Sequence, residues 1–463
     1  MKNPNGQLHR QVNKYSYCSV AELSQVFGKQ ITLPHNFGQA GRKRLFSPER
    51  TFWLFLSQIF AEDSSCREAL RKFLAWLAVE KDQIASCNTA GYVKARKRLE
   101  VNEIENISHQ VAQKCEKEIN KKNLWYERQV KVVDGSAVSM PDTPENQQRW
   151  PQSKNQKSGC GFPVMRIVAV CSLMTGSILA LAKDSLYIHE RTLFRCLWKC
   201  FRPKDVLLAD RGFCGYADFF LLLKKGVDCV MRNHQRRTVQ LKPIKKLGKN
   251  DRLILWYKSG GCLKWLDKQD WLDIPNSMVI REITFNIETS GFRTDKIVLV
   301  TTLLDPKEFP ASAFIELYRR RWNIELYLRD IKITMGMDIL TCKTPMMVEK
   351  ELWMHVIAYN LIRTIMLEAA NTYDLSIDRI SLKGTISTVR QWAPTLAQTG
   401  QNNENQFTLY ERMIYYLAKD QIPHRPNRVE PRALKRRKKN YQLLNKQRSI
   451  FKEILHRNKY TKA

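Results

Sequence analysis

The sequence predicts an α+β multidomain chain. It has a mixed α/β core, a β-rich block inserted into that core, a helical region before it and a basic, helical region after it. Three observations carry this expectation. Residues 1–125 hold amphipathic segments with helical spacing. From residue 126, short β-branched runs bounded by Gly, Pro and charge come in succession and then alternate with helical segments, which implies a mixed sheet covered by helices. Beyond residue 370 the chain becomes basic and partly helical.

Taken in order, SPERTFWLFLSQIF opens with Ser47 and has Glu49 close behind, a capped start to an amphipathic helix. Helices follow in SSCREALRKFLAWLAV, in TAGYVKARKRLEV and from Val101 to Lys121. The runs ERQVKVVDGSAV, VMRIVAVCSLM, GSILALAKDS and DVLLADRGF read as strands. A helix from Glu190 to Phe201 fits between the third and fourth, and another from Tyr216 to Lys225 fits before the strand GVDCVM. Residues 232–250 carry seven Lys/Arg and no acid. Strand signals return in RLILWYK, SMVIREITFNI and KIVLVTTLL. YRRRWNIELYLRDIK, Tyr318 to Lys332, is helical, and VEKELWMHVIAYNLIRTIML is apolar enough to be a core helix. The last 39 residues hold fourteen Lys/Arg and two Glu; RALKRRKKNYQLL within them is a basic tail, open to DNA contact, a partner helix or simple solvation.

The formal charge of +32, from 77 Lys+Arg against 45 Asp+Glu, opposes compaction and points to a polyanionic partner. Nucleic acid is favoured over membrane, because the longest apolar run, Phe52 to Phe60, is too short to span a bilayer. The N-terminus has no apolar h-region of a secretory signal. Twelve scattered cysteines form no CxxC pair and no zinc-ligand spacing with the eight histidines, so they read as reduced thiols of a cytosolic protein. His189 and His355 read as packing residues.

Three carboxylates stand out. Asp134 and Asp210 each end an apolar strand and precede a Gly-containing turn, at a sheet edge where sites in α/β folds form. Asp142, Glu145, Asp184, Glu190 and Asp205 compete with them. Glu325 lies among four arginines and a lysine. At ~100° per residue, Tyr318, Arg321, Glu325 and Lys332 fall within roughly 60° of arc, and Asp330 points about 140° away from Glu325. An i,i+4 salt bridge between Arg321 and Glu325 accounts for that pair but not for the line. Phosphodiester chemistry accounts for more: two Mg²⁺ ions, with Mn²⁺ as a substitute, would be held by carboxylates, and the surrounding cations would hold DNA phosphates.

These residues give the chain a recognisable pattern. The order Asp134, Asp210, Glu325 and the spacing Tyr318, Arg321, Glu325, Lys332 resemble the DDE insertion-sequence transposases of the insertion-sequence-four family, with its YREK motif. VVDGSAVSMPDTPENQQRWPQ, GCGFPVMRIVAV, LADRGFCGY, RPNRVEPRALKRRKKN and SCREALRKFLAWLA with NTAGYVKARKRL are similar to that family too. The likeness runs from about residue 40 to 445. It implies a helical N-terminal DNA-binding domain (1–125), a ribonuclease-H-like core (126–231 and 306–370, the second part bearing the Glu helix), a β-rich insertion (232–305) and a basic, helical C-terminal region (371–463). It implies metal binding and catalysis by Asp134, Asp210 and Glu325, and DNA binding by Tyr318, Arg321 and Lys332. An aromatic would stack a flipped base: Trp322, or Trp256, Trp265 or Trp271 of the insertion. The implied activity is cut-and-paste transposition through a hairpin, by a homodimer in the synaptic complex that pairs the element's terminal inverted repeats and joins them to target DNA. The implied setting is the bacterial cytoplasm and nucleoid, with no membrane.

Two other classes share much of this pattern: a DNA-binding derivative without activity, and a stand-alone metal-dependent nuclease. Retention of all three acids favours the transposase over the first. Joining of a 3′-end to target DNA separates it from the second.

Overall fold

In the computed structural model of the protein the described residues are 22–34, 37, 44–81, 85–233, 241–286, 296–398, 403–423, 447 and 450. The chain begins with α1 (Glu22–Phe27), α2 (Pro48–Phe60), α3 (Cys66–Lys81), α4 (Ala90–Arg98) and α5 (Val101–Lys117). Ser47 caps α2 as its position before Pro48 predicts, its side chain accepting the Arg50 N–H at 3.2 Å.

Nine strands follow in one sheet, in the order β3-β2-β1-β4-β5-β9-β8-β7-β6. They are β1 (Val130–Ser139), β2 (Val164–Ser172), β3 (Ile178–Ser185), β4 (Val206–Ala209), β5 (Asp228–Arg232), β6 (Leu241–Gly248), β7 (Asp251–Tyr257), β8 (Ser277–Asn286) and β9 (Lys296–Thr301). β1, β4 and β5 run parallel, and every other pairing is antiparallel. The β-rich stretch after residue 232 therefore extends the same sheet, joined to it by β9 against β5. α6 (Pro144–Arg149), α7 (Glu190–Cys196), α8 (Tyr216–Lys224) and α9 (Lys268–Asp273) lie in the connections.

Alternation along the strands sorts the core into two layers. Val130, Val132, Val206 and Leu208 face a large cluster shared with α2, α5 and α12 (Pro345–Thr372). Val133, Leu207 and Ala209 face a second cluster with Leu193 and Phe194 of α7 and Phe219 and Leu222 of α8. α12 is apolar on nearly every side and is buried along most of its 28 residues, as a core helix must be. α13 (Leu382–Gln398) and α14 (Asn403–Lys419) complete that side.

One strand carried no local signal, and one expectation needs correction. β6, LKPIKKLG, carried no strand signal because three lysines and a proline interrupt it. It is an edge strand with register shifts at Pro243/Lys245 and Lys246/Gly248, and Lys and Pro are what an edge tolerates. The segment from Tyr318 to Lys332 is not one continuous α-helix. α10 (Ala311–Arg320) ends at Arg321, α11 (Asn323–Arg329) begins after Trp322, and a π-helical turn (Asp330–Thr334) follows. The tail RALKRRKKNYQLL lies outside the described residues. Among the described residues no helix is long and apolar enough to cross a membrane.

Candidate active site

Strand register brings the two aspartates together. Val130 of β1 pairs with Val206 of β4, Lys131 with Leu207 and Val132 with Leu208. Continued past its last pair and past the end of β4 at Ala209, that register leads to Asp210 opposite Asp134. By alternation both side chains point to the layer that holds Val132 and Leu208, the side covered by α10, α11 and α12. β4 ends at Ala209 while β1 continues to Ser139, so a crevice opens beside Asp134 where its parallel neighbour stops.

α11 packs over β1 at this crevice. Here the break between α10 and α11 matters. Arg321, Ile324 and Glu325 donate their N–H groups to carbonyls only three residues back, at 3.1–3.2 Å. The tight turn separates residues that an ideal helix would align. Tyr318 and Arg321 are buried, whereas the Glu325 side chain is 52% exposed. Arg321 reaches Glu325 through one long bond, Nη2 to Oε1 at 3.4 Å, and its guanidinium lies 4.3 Å from the Trp322 ring and 5.7 Å from the Tyr318 ring. Its Nε is buried with no hydrogen-bond partner among the described residues. The π-helical turn then carries Lys332 onto β1, where Nζ donates to Ser136 Oγ at 3.0 Å and pairs with Asp338 at 3.1 Å. Asp330 points elsewhere, as its helical position predicts, and pairs with Arg329.

Electrostatics tie these groups into one neighbourhood. Burial pushes the Asp134 carboxyl up to about 6; the Gly135 N–H and Arg321 oppose this, while Glu325 and Glu190 add to it. Burial likewise raises the Tyr318 phenol, with Arg321 opposing and Asp210 adding. Arg321, Glu325 and Glu190 thus act on Asp134, and Arg321, Asp210 and Arg232 act on Tyr318. Among the described residues, no three His, Cys, Asp or Glu side chains close into a ready-made metal cluster. Arg321 pairs with Glu325, and Lys332 pairs with Asp338 rather than with one of the three acids. The donor set itself fits a hard divalent cation: it is all oxygen, and burial together with the nearby Glu325 charge disfavours a bare carboxylate at Asp134, which a cation would relieve.

Three of the five competing acids have partners of their own. Asp205 is buried against Lys131 Nζ at 2.6 Å, Asp184 pairs with Arg149, and Asp142 accepts from Gln147. His189 caps α7, and His355 is buried and held below its ordinary value by desolvation, so both are structural. Of the tryptophans, Trp256 and Trp271 are buried in the second core and have no face for a base. Trp265 is 37% exposed beneath Arg195, whose guanidinium lies 3.7 Å from its ring. Trp322 sits at the site itself.

Residues 125–361 match the family described as Transposase DDE domain. The chain belongs to the DDE transposases. This transposase is 26% identical over 332 residues to the transposase InsG for insertion sequence element IS4 of Escherichia coli (strain K12), a match covering 71% of this chain and 72% of that protein. A cryo-EM structure of a piggyBac transposase synaptic complex with hairpin DNA aligns over 89% of this chain and 86% of that chain, with TM-score 0.43 and 9% identity. The activity of this transposase is metal-dependent DNA cleavage and strand transfer.

Proposed function

We propose that the transposase moves its element by cut-and-paste, with Asp134, Asp210 and Glu325 holding two Mg²⁺ ions, for which Mn²⁺ can substitute. The observation that carries this reading is the β1/β4 register, which supports paired aspartates on one sheet face beneath the helix turn bearing Glu325. Divalent ions bound there supply an activated water or 3′-hydroxyl and a stabilised leaving oxygen. The chain's own part is to position phosphate. Arg321, with its free Nε, and Lys332, on the floor of the crevice, are the groups that grip the cut end, and the Tyr318 phenol lies beside them. Trp322 is the stacking surface for a flipped base in a hairpin step.

The strand order 3-2-1-4-5, with β1, β4 and β5 parallel, supports a ribonuclease-H-like core divided as 126–231 and 306–370 around the 232–305 insertion. Helices before residue 125 would bind the terminal inverted repeats, and the region 371–463 would serve partner contacts. Two ends must be paired, so the acting form is a homodimer in the synaptic complex, in the bacterial cytoplasm and nucleoid.

The test is strand cleavage on DNA carrying the inverted repeats that flank the gene. Asp134→Ala, Asp210→Ala and Glu325→Ala should each abolish cleavage in Mg²⁺ while retaining end binding in a gel-shift assay. Equal loss of binding and cleavage in all three would refute metal ligation as their role.

A further inference from the structure

Glu190, the first residue of α7, lies on the opposite side of the sheet from α11, yet its carboxylate comes to the same crevice. The reason is Gly135. A methyl group built on Gly135 would stand 2.5 Å from Glu190 Cδ, 2.6 Å from Oε1 and 2.9 Å from Oε2. The carboxylate therefore occupies the space that any other side chain would fill, one residue along β1 from Asp134. Asp134 Oδ1 accepts the Gly135 N–H at 2.8 Å, which fixes that carboxylate next to the glycine in sequence.

The helix bearing Glu190 is fixed to the loop after Asp210. Arg191 and Arg195 both clasp Asp218, which is 1% exposed at the start of α8, with Arg195 Nε to Oδ1 at 2.7 Å. Gly215 makes this possible, because a side chain there would collide with the Arg191 guanidinium. α7 is thus braced between β1 and the segment that follows the second aspartate.

We propose that Glu190 is a fourth carboxylate of the catalytic centre, reaching a divalent cation beside Asp134 through the gap that Gly135 leaves in the sheet. This rests on the assignment of Asp134 above. The rival role is a plain ion pair with Arg166, whose Nε lies 3.9 Å from Glu190 Oε1. That separation is long and the glutamate is 42% exposed, so the pair alone contributes little.

The experiment is Mn²⁺ binding to the full chain, followed by electron paramagnetic resonance, with the far-ultraviolet spectrum and melting curve of each variant as folding controls. Glu190→Gln should weaken Mn²⁺ by about 10- to 100-fold. Gly135→Ala should do the same without touching Glu190, because the new methyl evicts the flexible carboxylate end rather than backbone. Arg166→Gln should bind as the wild type does. Wild-type affinity in Glu190→Gln, with Asp134→Asn defective, would overturn the inference and leave the proposed site standing. Wild-type affinity in Asp134→Asn as well would remove the site itself. Loss in Glu190→Gln but not in Gly135→Ala, or equal loss in Arg166→Gln, would also overturn the inference.

Discussion

Two buried arginines in this chain are built to opposite specifications. Arg281 on β8 is fully buried, and its guanidinium is fully engaged. Nε and Nη2 meet both oxygens of Asp251 at 2.8 and 2.5 Å, and Nη1 donates to the carbonyls of Phe309 at 2.7 Å and Asp305 at 3.3 Å. Arg321 is nearly as buried, but its carboxylate contact is a 3.4 Å bond to a glutamate half in solvent, its other side-chain partner is the Tyr318 phenol, and its Nε has no partner among the described residues. A buried guanidinium left short of acceptors is unfavourable unless something else supplies them. Arg281 holds the extended sheet to the loop before α10. On the proposed reading, the spare donor of Arg321 is for a DNA phosphate.

The sharpest way to break this comparison is to make the same substitution at both places. Arg281→Met strands Asp251 as a buried charge and frees two carbonyls, so stability should fall by about 3–5 kcal/mol in urea unfolding. A loss near zero would mean that the bidentate pair is not what holds this part of the sheet.

The same contrast runs through the carboxylates. Asp251 is satisfied by its arginine, whereas Asp134 sits among other acids with its carboxyl raised from 3.8 to about 6. For a raised carboxyl, the stability tied to the protonated form is complete below pH 3.8 and is lost as the pH rises through about 6. Asn carries no charge, so Asp134→Asn should be more stable than the wild type at pH 8. The gain should be on the order of 1–3 kcal/mol and should shrink to nothing near pH 4. Mn²⁺ affinity of the wild type should in turn fall below pH 6, by up to about tenfold per unit, as metal and proton compete for Asp134. A melting-temperature difference that does not change with pH would show that Asp134 is not strained by its charge.

The strands were legible because β1, β2, β3 and β4 each contain a short apolar, β-branched run; Asp210 does follow the end of β4, whereas Asp134, expected to end its strand, lies inside β1, which runs on to Ser139. What the sequence hid is equally physical. β6 is an edge strand, where lysines and a proline erase the alternation that marks buried strands. The YREK segment obeys its spacing but not its helix: tight bonds at Arg321–Trp322 and the π-helical turn at Asp330 are set by packing against β1 and α12, which no local pattern announces. Glu190 was in view only as one of several competing acids. The signal that could have raised it was the glycine after Asp134, whose meaning depends on a helix more than fifty residues away in sequence.

The smallest effect on stability should come from Arg321→Met, and it is the most informative. Methionine keeps much of the packing against Tyr318 and Trp322 and removes a guanidinium whose hydrogen bonds are mostly unmade, so unfolding free energy should change by less than about 1 kcal/mol. Glu325 is already largely solvated and is not stranded by the loss. End-DNA binding should weaken, and the slope of log affinity against log salt should lessen by about 1, the signature of one lost phosphate contact. Arg281→Met, with its large stability loss, should leave that slope unaltered in whatever protein stays folded. If instead Arg321→Met destabilises the chain as much as Arg281→Met and leaves the salt slope unchanged, its poor hydrogen bonding is no reserve for DNA, and the distinction between the two arginines collapses.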